Sequence, residues 1–245
     1  MIDPKQRFTV AAGDYHRARP DYPAALFDWI EGEAALPRPA WVADVGCGTG
    51  VSTRPWASRG HRAVGIDPNA AMLAQAAAAG GLYVRAEAAA TGLEDASVHL
   101  VTVAQALHWL DLGAVLPEFR RILRPGGPLA AYWNLRAGGG FMSEYDAVVR
   151  SFSAEYTKVP RAADAVEALL GAPQVVELRE AEFPNQQLLD LEGLLGRAHS
   201  SSYVAHGVAD RPGFDRALND LFTRHQQRGA VRFRYRTAAY LARLG

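Results

Sequence analysis

Residues 42–50, Val-Ala-Asp-Val-Gly-Cys-Gly-Thr-Gly, place a glycine at every second position directly after an apolar run. Glycine inside a helix or strand costs roughly 0.5–1 kcal/mol relative to alanine, so three of them do not continue either element. A strand that stops in a tight turn uses them well. Positive φ comes without penalty there, and bare backbone can approach a nucleotide-like ligand ahead of a helix N-terminus. The stretch therefore predicts strand, ligand-cradling turn and helix, with Gly46, Gly48 and Gly50 as cradle, Asp44 before them and Cys47 within.

The period of apolar residues alternates on both sides of that turn. Strands are expected at 41–46, 62–66, 82–86, 98–105 and 129–133, and helices from Pro23 to the Pro37-Arg38-Pro39 stop and at about 51–59, 69–79 and 114–123. Alternation over short connections means parallel βαβ units, and continuous apolar strands mean helices on both faces. Right-handed crossovers put the turn and the ends of the following strands on one carboxyl edge, where such sheets bind ligands. Beyond the hinge-like Ala137-Gly138-Gly139-Gly140, helical patterns at about 142–156 and 161–170 look like an insertion, a strand resumes at 174–179, and helices at about 187–198 and 212–228 precede alternation of period two over Ala230–Arg236. The expected fold is α/β: a seven-stranded, mostly parallel Rossmann-like sheet with helices on both faces and a helical cap. The expected regions are an arm and helix (1–40), a cofactor-binding core (41–134), a cap and substrate region with the sixth strand (135–200) and a closing helix and strand (201–245).

Charge narrows the function. Lys and Arg total 26 against 26 Asp and Glu, which argues against bulk electrostatic attraction to nucleic acid or membrane. No window approaches the roughly 18 apolar residues of a membrane span and residues 1–6 lack an apolar signal core, so a cytoplasmic protein is expected. After Asp220 the chain carries six arginines and no acid, which reads as the solvated face of the last elements. One cysteine excludes an internal disulfide and a multi-cysteine metal site; no metal is expected.

Spacing separates the nucleotide folds. A dinucleotide fingerprint is Gly-x-Gly-x-x-Gly, whereas this turn is Gly46-x-Gly48-x-Gly50 after Asp44. These residues resemble the first motif of the class I S-adenosylmethionine-dependent methyltransferases, Asp-x-Gly-x-Gly-x-Gly. Gly65-Ile66-Asp67-Pro68 resembles the end of that family's second strand, which implies that Asp67 accepts hydrogen bonds from both ribose hydroxyls. The resemblance continues through Asn69-Ala70-Ala71-Met72, where an apolar side chain packs on the adenine, and through Glu87-Ala88 for the Asp-Ala pair at the adenine amino group. It extends to Glu118–Gly127 ahead of the fifth strand. It thus covers residues 41–134 and the type 11 methyltransferase domain. His99 stands where the family carries an aspartate that helps fix the fourth strand.

The resemblance implies S-adenosylmethionine as cofactor and a small molecule as methyl acceptor. Gln105 and Ala106 would line its methionine end. Tyr15–Pro23 resembles the Tyr-x-x-x-Arg-Pro-x-Tyr-Pro segment of a branch that includes trans-aconitate-type enzymes, which implies that Tyr15 and Arg17 or Arg19 bind the methionine carboxylate or an acidic substrate. His108 stands beyond the fourth strand as a base or an orienting group, or as a structural histidine; Trp109 and Trp133 shape an apolar pocket or belong to the core. A carboxylate acceptor is already ionised at neutral pH and needs no base. Gln105-Ala106-Leu107-His108 replaces the Pro-Pro-Tyr type loop of exocyclic-amine enzymes, so no nucleic-acid substrate is expected. Two other readings stay open: an NAD-dependent oxidoreductase, since Asp67 suits either ribose, and a non-catalytic S-adenosylmethionine-binding module.

Overall fold

The computed structural model describes residues 19–245. Helix α1 (Ala24–Glu33) precedes β1 (Trp41–Val45), and then α2 (Thr53–Ser58), β2 (Arg62–Ile66), α3 (Ala70–Ala78), β3 (Leu82–Val84), β4 (Leu100–Ala104), α4 (Leu112–Ile122) and β5 (Pro128–Arg136) follow. The second half contains α5 (Phe141–Phe152), α6 (Ala162–Leu170), β6 (Val175–Leu189), α7 (Leu191–His199), α8 (Ser202–Gly207), α9 (Arg211–His225) and β7 (Val231–Leu244).

Seven strands form one sheet in the order β3-β2-β1-β4-β5-β7-β6. β1 pairs in parallel with β2 (Val42 opposite Ala63) and with β4 (Val42 opposite Leu100), and β4 pairs in parallel with β5 (Val101 opposite Leu129). All five residues of β4 and four of the five in β1 are buried, as expected when helices cover both faces. β7 runs the other way. Ala137 N–H donates to the Arg234 carbonyl while Arg243 reaches the Gly126 carbonyl; Gly245 N–H donates to the Gln174 carbonyl while Arg232 reaches Gln186. Both neighbours descend as β7 ascends. Strand order reverses between β2 and β4, on either side of β1, and the glycine turn leaves β1 at that switch point.

The chain divides into two compact units. One holds 21–133, 160–183 and 237–245; the other holds, among the described residues, 19–20, 134–159 and 184–236. The first is built on Leu26, Phe27, Ile30, Trp56, Leu100 and Tyr132. The second is built on Phe141, Tyr145, Leu194, Phe214, Leu218 and Phe233, with α9 packed on α5 and α7.

Several expected boundaries moved. β3 ends at Val84, because Ala86 to Ala90 turns back on itself with Glu87 bridged to Ala90. β6 runs on to Leu189 where a helix was expected from 187, and α7 begins only after Asp190, whose carboxylate accepts from Gly193 N–H as the helix cap. β7 continues past Arg236 to Leu244: its later residues are buried almost without a break, so the alternation that marks its first half disappears. His99 takes over the tie expected of an aspartate. Its Nδ1 accepts from Trp41 N–H at 2.9 Å and fastens β4 to the start of β1.

Candidate functional site

The glycine turn is held from below by Asp44, which is fully buried and accepts from Thr53 Oγ1 at 2.6 Å and Thr102 Oγ1 at 2.9 Å. Burial raises its pKa to about 6 even against those hydrogen bonds. Asp44 therefore positions the cradle by joining β1 to α2 and β4, and its carboxylate is enclosed by protein. Gly46 has φ +71°, and a Cβ on it would meet Ala106 Cβ at 2.6 Å, so the close passage of the chain after β4 requires glycine. Gly48 has φ +53°, and a Cβ there would meet nothing within 4 Å. The turn is tight on one side and open on the other.

Asp67, just after the end of β2, is bonded to the turn at Gly48. Its Oδ2 accepts from Gly48 N–H at 2.9 Å and its Oδ1 from Asn69 N–H at 2.8 Å. An ionised carboxylate has about four acceptor positions, so each oxygen keeps capacity for a further donor. Burial raises its pKa, opposed by the two backbone N–H groups, and the nearby Glu87 adds to the rise. Asp67 and Glu87 thus stand within electrostatic reach of each other, with Glu87 exposed and Ala88 buried. Pro68 is partly buried and its carbonyl accepts from Arg85. Asn69 caps α3 by accepting from Ala71 and Met72 N–H. Met72 is 3% exposed and lies on the same helix face as the core residues Leu73 and Ala76.

Cys47 is a buried filler. A Cβ on Gly65 would meet its sulfur at 2.8 Å, and burial pushes its thiol up, away from thiolate chemistry. Two groups that sequence reasoning missed belong to the turn. Thr49 Oγ1 is buried without a hydrogen-bond partner, and a buried hydroxyl left unpaired costs about 1–3 kcal/mol. Tyr83 lays its ring against Gly50 and Gly65. The visible sign of Tyr83 was an aromatic next to Gly80-Gly81, facing the glycines that leave room for it.

At the end of β4, Gln105 adopts φ +57°, sparsely populated by side-chain-bearing residues, and its N–H donates to the Tyr132 carbonyl. Strain of this kind concentrates where a loop must be aimed. His108, Trp109 and Trp133 come together: Trp133 Nε1 donates to His108 Nδ1 at 3.0 Å, and the His108 and Trp109 rings lie 5.0 Å apart. Burial lowers the His108 pKa to about 4. The ring is neutral at pH 7 with Nδ1 occupied, which leaves Nε2 as an N–H donor and makes it a poor base. Trp133 is buried against Tyr240. Arg19 belongs to the other unit, where its guanidinium donates to the Ser200 carbonyl at 2.9 Å. Tyr15 and Arg17 lie outside the described residues. Among the described residues no group of His, Cys, Asp and Glu is arranged to hold a metal, and no helix is long and apolar enough to cross a membrane.

The open face of Gly48, the orphan hydroxyl of Thr49 and the half-used carboxylate of Asp67 fit a polar nucleoside ligand lying across the turn. Comparison with known proteins agrees. Residues 43–131 match the family described as "Methyltransferase domain". An uncharacterized methyltransferase of Mycobacterium tuberculosis is 41% identical over 131 residues, 53% of this chain and 52% of the relative. A malonyl-[acyl-carrier protein] O-methyltransferase of Pseudescherichia vulneris is 40% identical over 96 residues, 38% of each chain. The chain thus spans about half the length, or less, of the curated relatives it matches. A solved structure from Anaeromyxobacter dehalogenans, named as a type II methyltransferase, superposes with a TM-score of 0.65 at 28% identity, covering 92% of this chain and 97% of that one.

Proposed function

We propose that the protein, whose residues 43–131 match a methyltransferase domain, transfers a methyl group from S-adenosylmethionine to a small molecule, with a carboxylate as the accepting group. The observation that carries the reading is the turn itself: glycine backbone open at Gly48, beside the Asp67 carboxylate with acceptor positions to spare. Asp67 would hold the ribose hydroxyls, Gly46 to Gly50 with Thr49 the methionine portion, and Glu87, Ala88 and Met72 the adenine end. Solved relatives of the same fold at 15% and 14% identity, a Haemonchus contortus phosphoethanolamine methyltransferase and a Streptomyces coelicolor geranyl diphosphate C-methyltransferase, hold S-adenosylhomocysteine.

When bound, the donor supplies an electrophilic methyl group on a sulfonium. The protein then has to align the acceptor in line with that bond and keep water out, which for a well-oriented pair is worth several kcal/mol. His108 supports an acceptor that needs no deprotonation. Held neutral, with Nδ1 tied to Trp133, it is suited to donate from Nε2 and orient an acceptor oxygen. The aromatic pair Trp109 and Trp133 would supply an apolar wall. The Arg19-Pro20-Asp21-Tyr22-Pro23 remainder of the trans-aconitate-type segment supports the same substrate class.

Calorimetric titration with S-adenosylmethionine and with S-adenosylhomocysteine tests the donor; binding of neither overturns the reading. The acceptor is tested by methyl incorporation into a panel of carboxylic acids and, separately, of amines. Turnover confined to amines removes the carboxylate.

A further inference from the structure

The second unit buries a positive charge that nothing described neutralises. Arg197, on α7, is 5% exposed, and its guanidinium is held only by neutral oxygens: Nε donates to Tyr235 Oη at 2.8 Å and Nη1 to Ser201 Oγ at 3.0 Å. Among the described residues no carboxylate lies within 4 Å of it, and Nη2 donates no hydrogen bond. The guanidinium sits over the Phe233 and Tyr235 rings, 5.5 and 5.9 Å from their centroids. Cation–π contact offsets a minor part of what a buried cation loses in leaving water.

Beside it, Tyr145 on α5 is fully buried and its hydroxyl has no hydrogen-bond partner. That hydroxyl lies within electrostatic reach of Tyr203, Arg197, Arg136 and Tyr235. Arg136, at the end of β5, donates to Tyr203 Oη at 2.6 Å and pairs with Asp146, a carboxylate that Arg150 also shares. Burial works to raise the Tyr203 hydroxyl pKa, yet the cations Arg136, Arg197 and Arg19 outweigh it and hold the pKa below its usual value. The field across this cluster is positive, and the unpartnered Tyr145 hydroxyl within it can donate a hydrogen bond.

We propose that Arg197, Tyr145 and Tyr203, flanked by Arg19 and Arg136, form a binding site for an oxyanion, the carboxylate or phosphate of a small molecule. A guanidinium edge and a phenol hydroxyl are both donors, and a planar or tetrahedral anion accepts from several donors at once. Such a ligand supplies the counter-charge for Arg197 and the missing partner for Tyr145 together. That the anion belongs to the methyl acceptor rests on the function proposed above; the site itself rests only on the side chains of this unit.

Titration calorimetry of the full chain at constant ionic strength, with citrate in one arm and inorganic phosphate in the other, tests it. One-site saturable binding is expected in at least one arm, and the stronger arm names the source of the oxyanion. Tyr145→Phe removes only the orphan hydroxyl, so its melting temperature should stay level or rise while anion affinity falls at least tenfold. Arg197→Lys should lower the affinity further, and Arg216→Gln, an exposed arginine of the same unit, should leave it unchanged. No saturable binding in either arm, or wild-type affinity in Tyr145→Phe, overturns the proposal. S-adenosylmethionine titrated into the same samples keeps the two readings apart: donor binding without anion binding removes only this site, and the reverse removes only the methyl-transfer reading.

Discussion

The two units bury polar groups by opposite means. In the core unit the buried Asp44 carboxylate is surrounded by hydroxyl donors from Thr53 and Thr102, and the turn above it is fixed by backbone and by close packing at Gly46. In the other unit two guanidinium groups, Arg136 and Arg197, lie among tyrosines with the single carboxylate of Asp146 at one of them. The core spends its polar interior on holding a shape. The second unit holds a charge, and charge left uncompensated in a folded interior is costly unless a ligand completes it.

Four substitutions break or sharpen that contrast, taken from the largest effect down. Phe119→Ala empties a fully buried site on α4 and should cost about 3–5 kcal/mol in a urea titration; a much smaller loss would mean that the core is not close-packed around the sheet. Asp44→Asn tests the buried carboxylate through pH. Its pKa is raised from 3.8 to about 6, so the stability it contributes is full below pH 3.8 and lost as pH rises through about 6. The amide variant should therefore gain on wild type by up to about 3 kcal/mol between pH 4 and pH 7. A gap that does not widen would show that the threonine hydroxyls satisfy the ionised form.

Asp67→Ala should weaken S-adenosylmethionine binding by about 2 kcal/mol, or some thirtyfold, the range for hydrogen bonds to a charged group. Unchanged affinity in calorimetry would take Asp67 out of the site. The smallest effect is expected in the second unit. Arg197→Met keeps the volume and removes the charge, and should leave stability level or raise it by about 1 kcal/mol, because desolvation of the cation is not repaid by its contacts. If it costs as much as Phe119→Ala, the cations hold that unit together and the contrast fails.

Legibility in the sequence follows the same division. The core was readable because its signals are local: glycines at alternate positions, an acid closing the next strand, and proline with glycine before β5 all act within a few residues of themselves. His99 reads in the sequence only as a departure from the family's aspartate, and its bond to Trp41 N–H, a contact between residues 58 positions apart, is visible only in the fold. The arginine and tyrosine cluster draws on residues 136, 145, 197, 203 and 235, and no local rule joins them. One sign was present. Leu194, Arg197, Ala198 and Ser201 follow helical spacing, and an arginine inside an otherwise apolar and small-residue face asks for an explanation. The length of β7 escaped for another reason, since its later residues are buried almost without a break and lose the alternation by which strands are found.

The division of the chain also bears on how such a protein can change. The backbone passes from one unit to the other after residues 20, 133, 159, 183 and 236, and β5, β6 and β7 each begin in one unit and finish in the other. No single cut yields either half as a continuous polypeptide, and no simple fusion can transplant one. A lineage carrying this layout would adjust the second unit by substitution within strands it shares with the sheet, and recombination of whole modules would be closed to it.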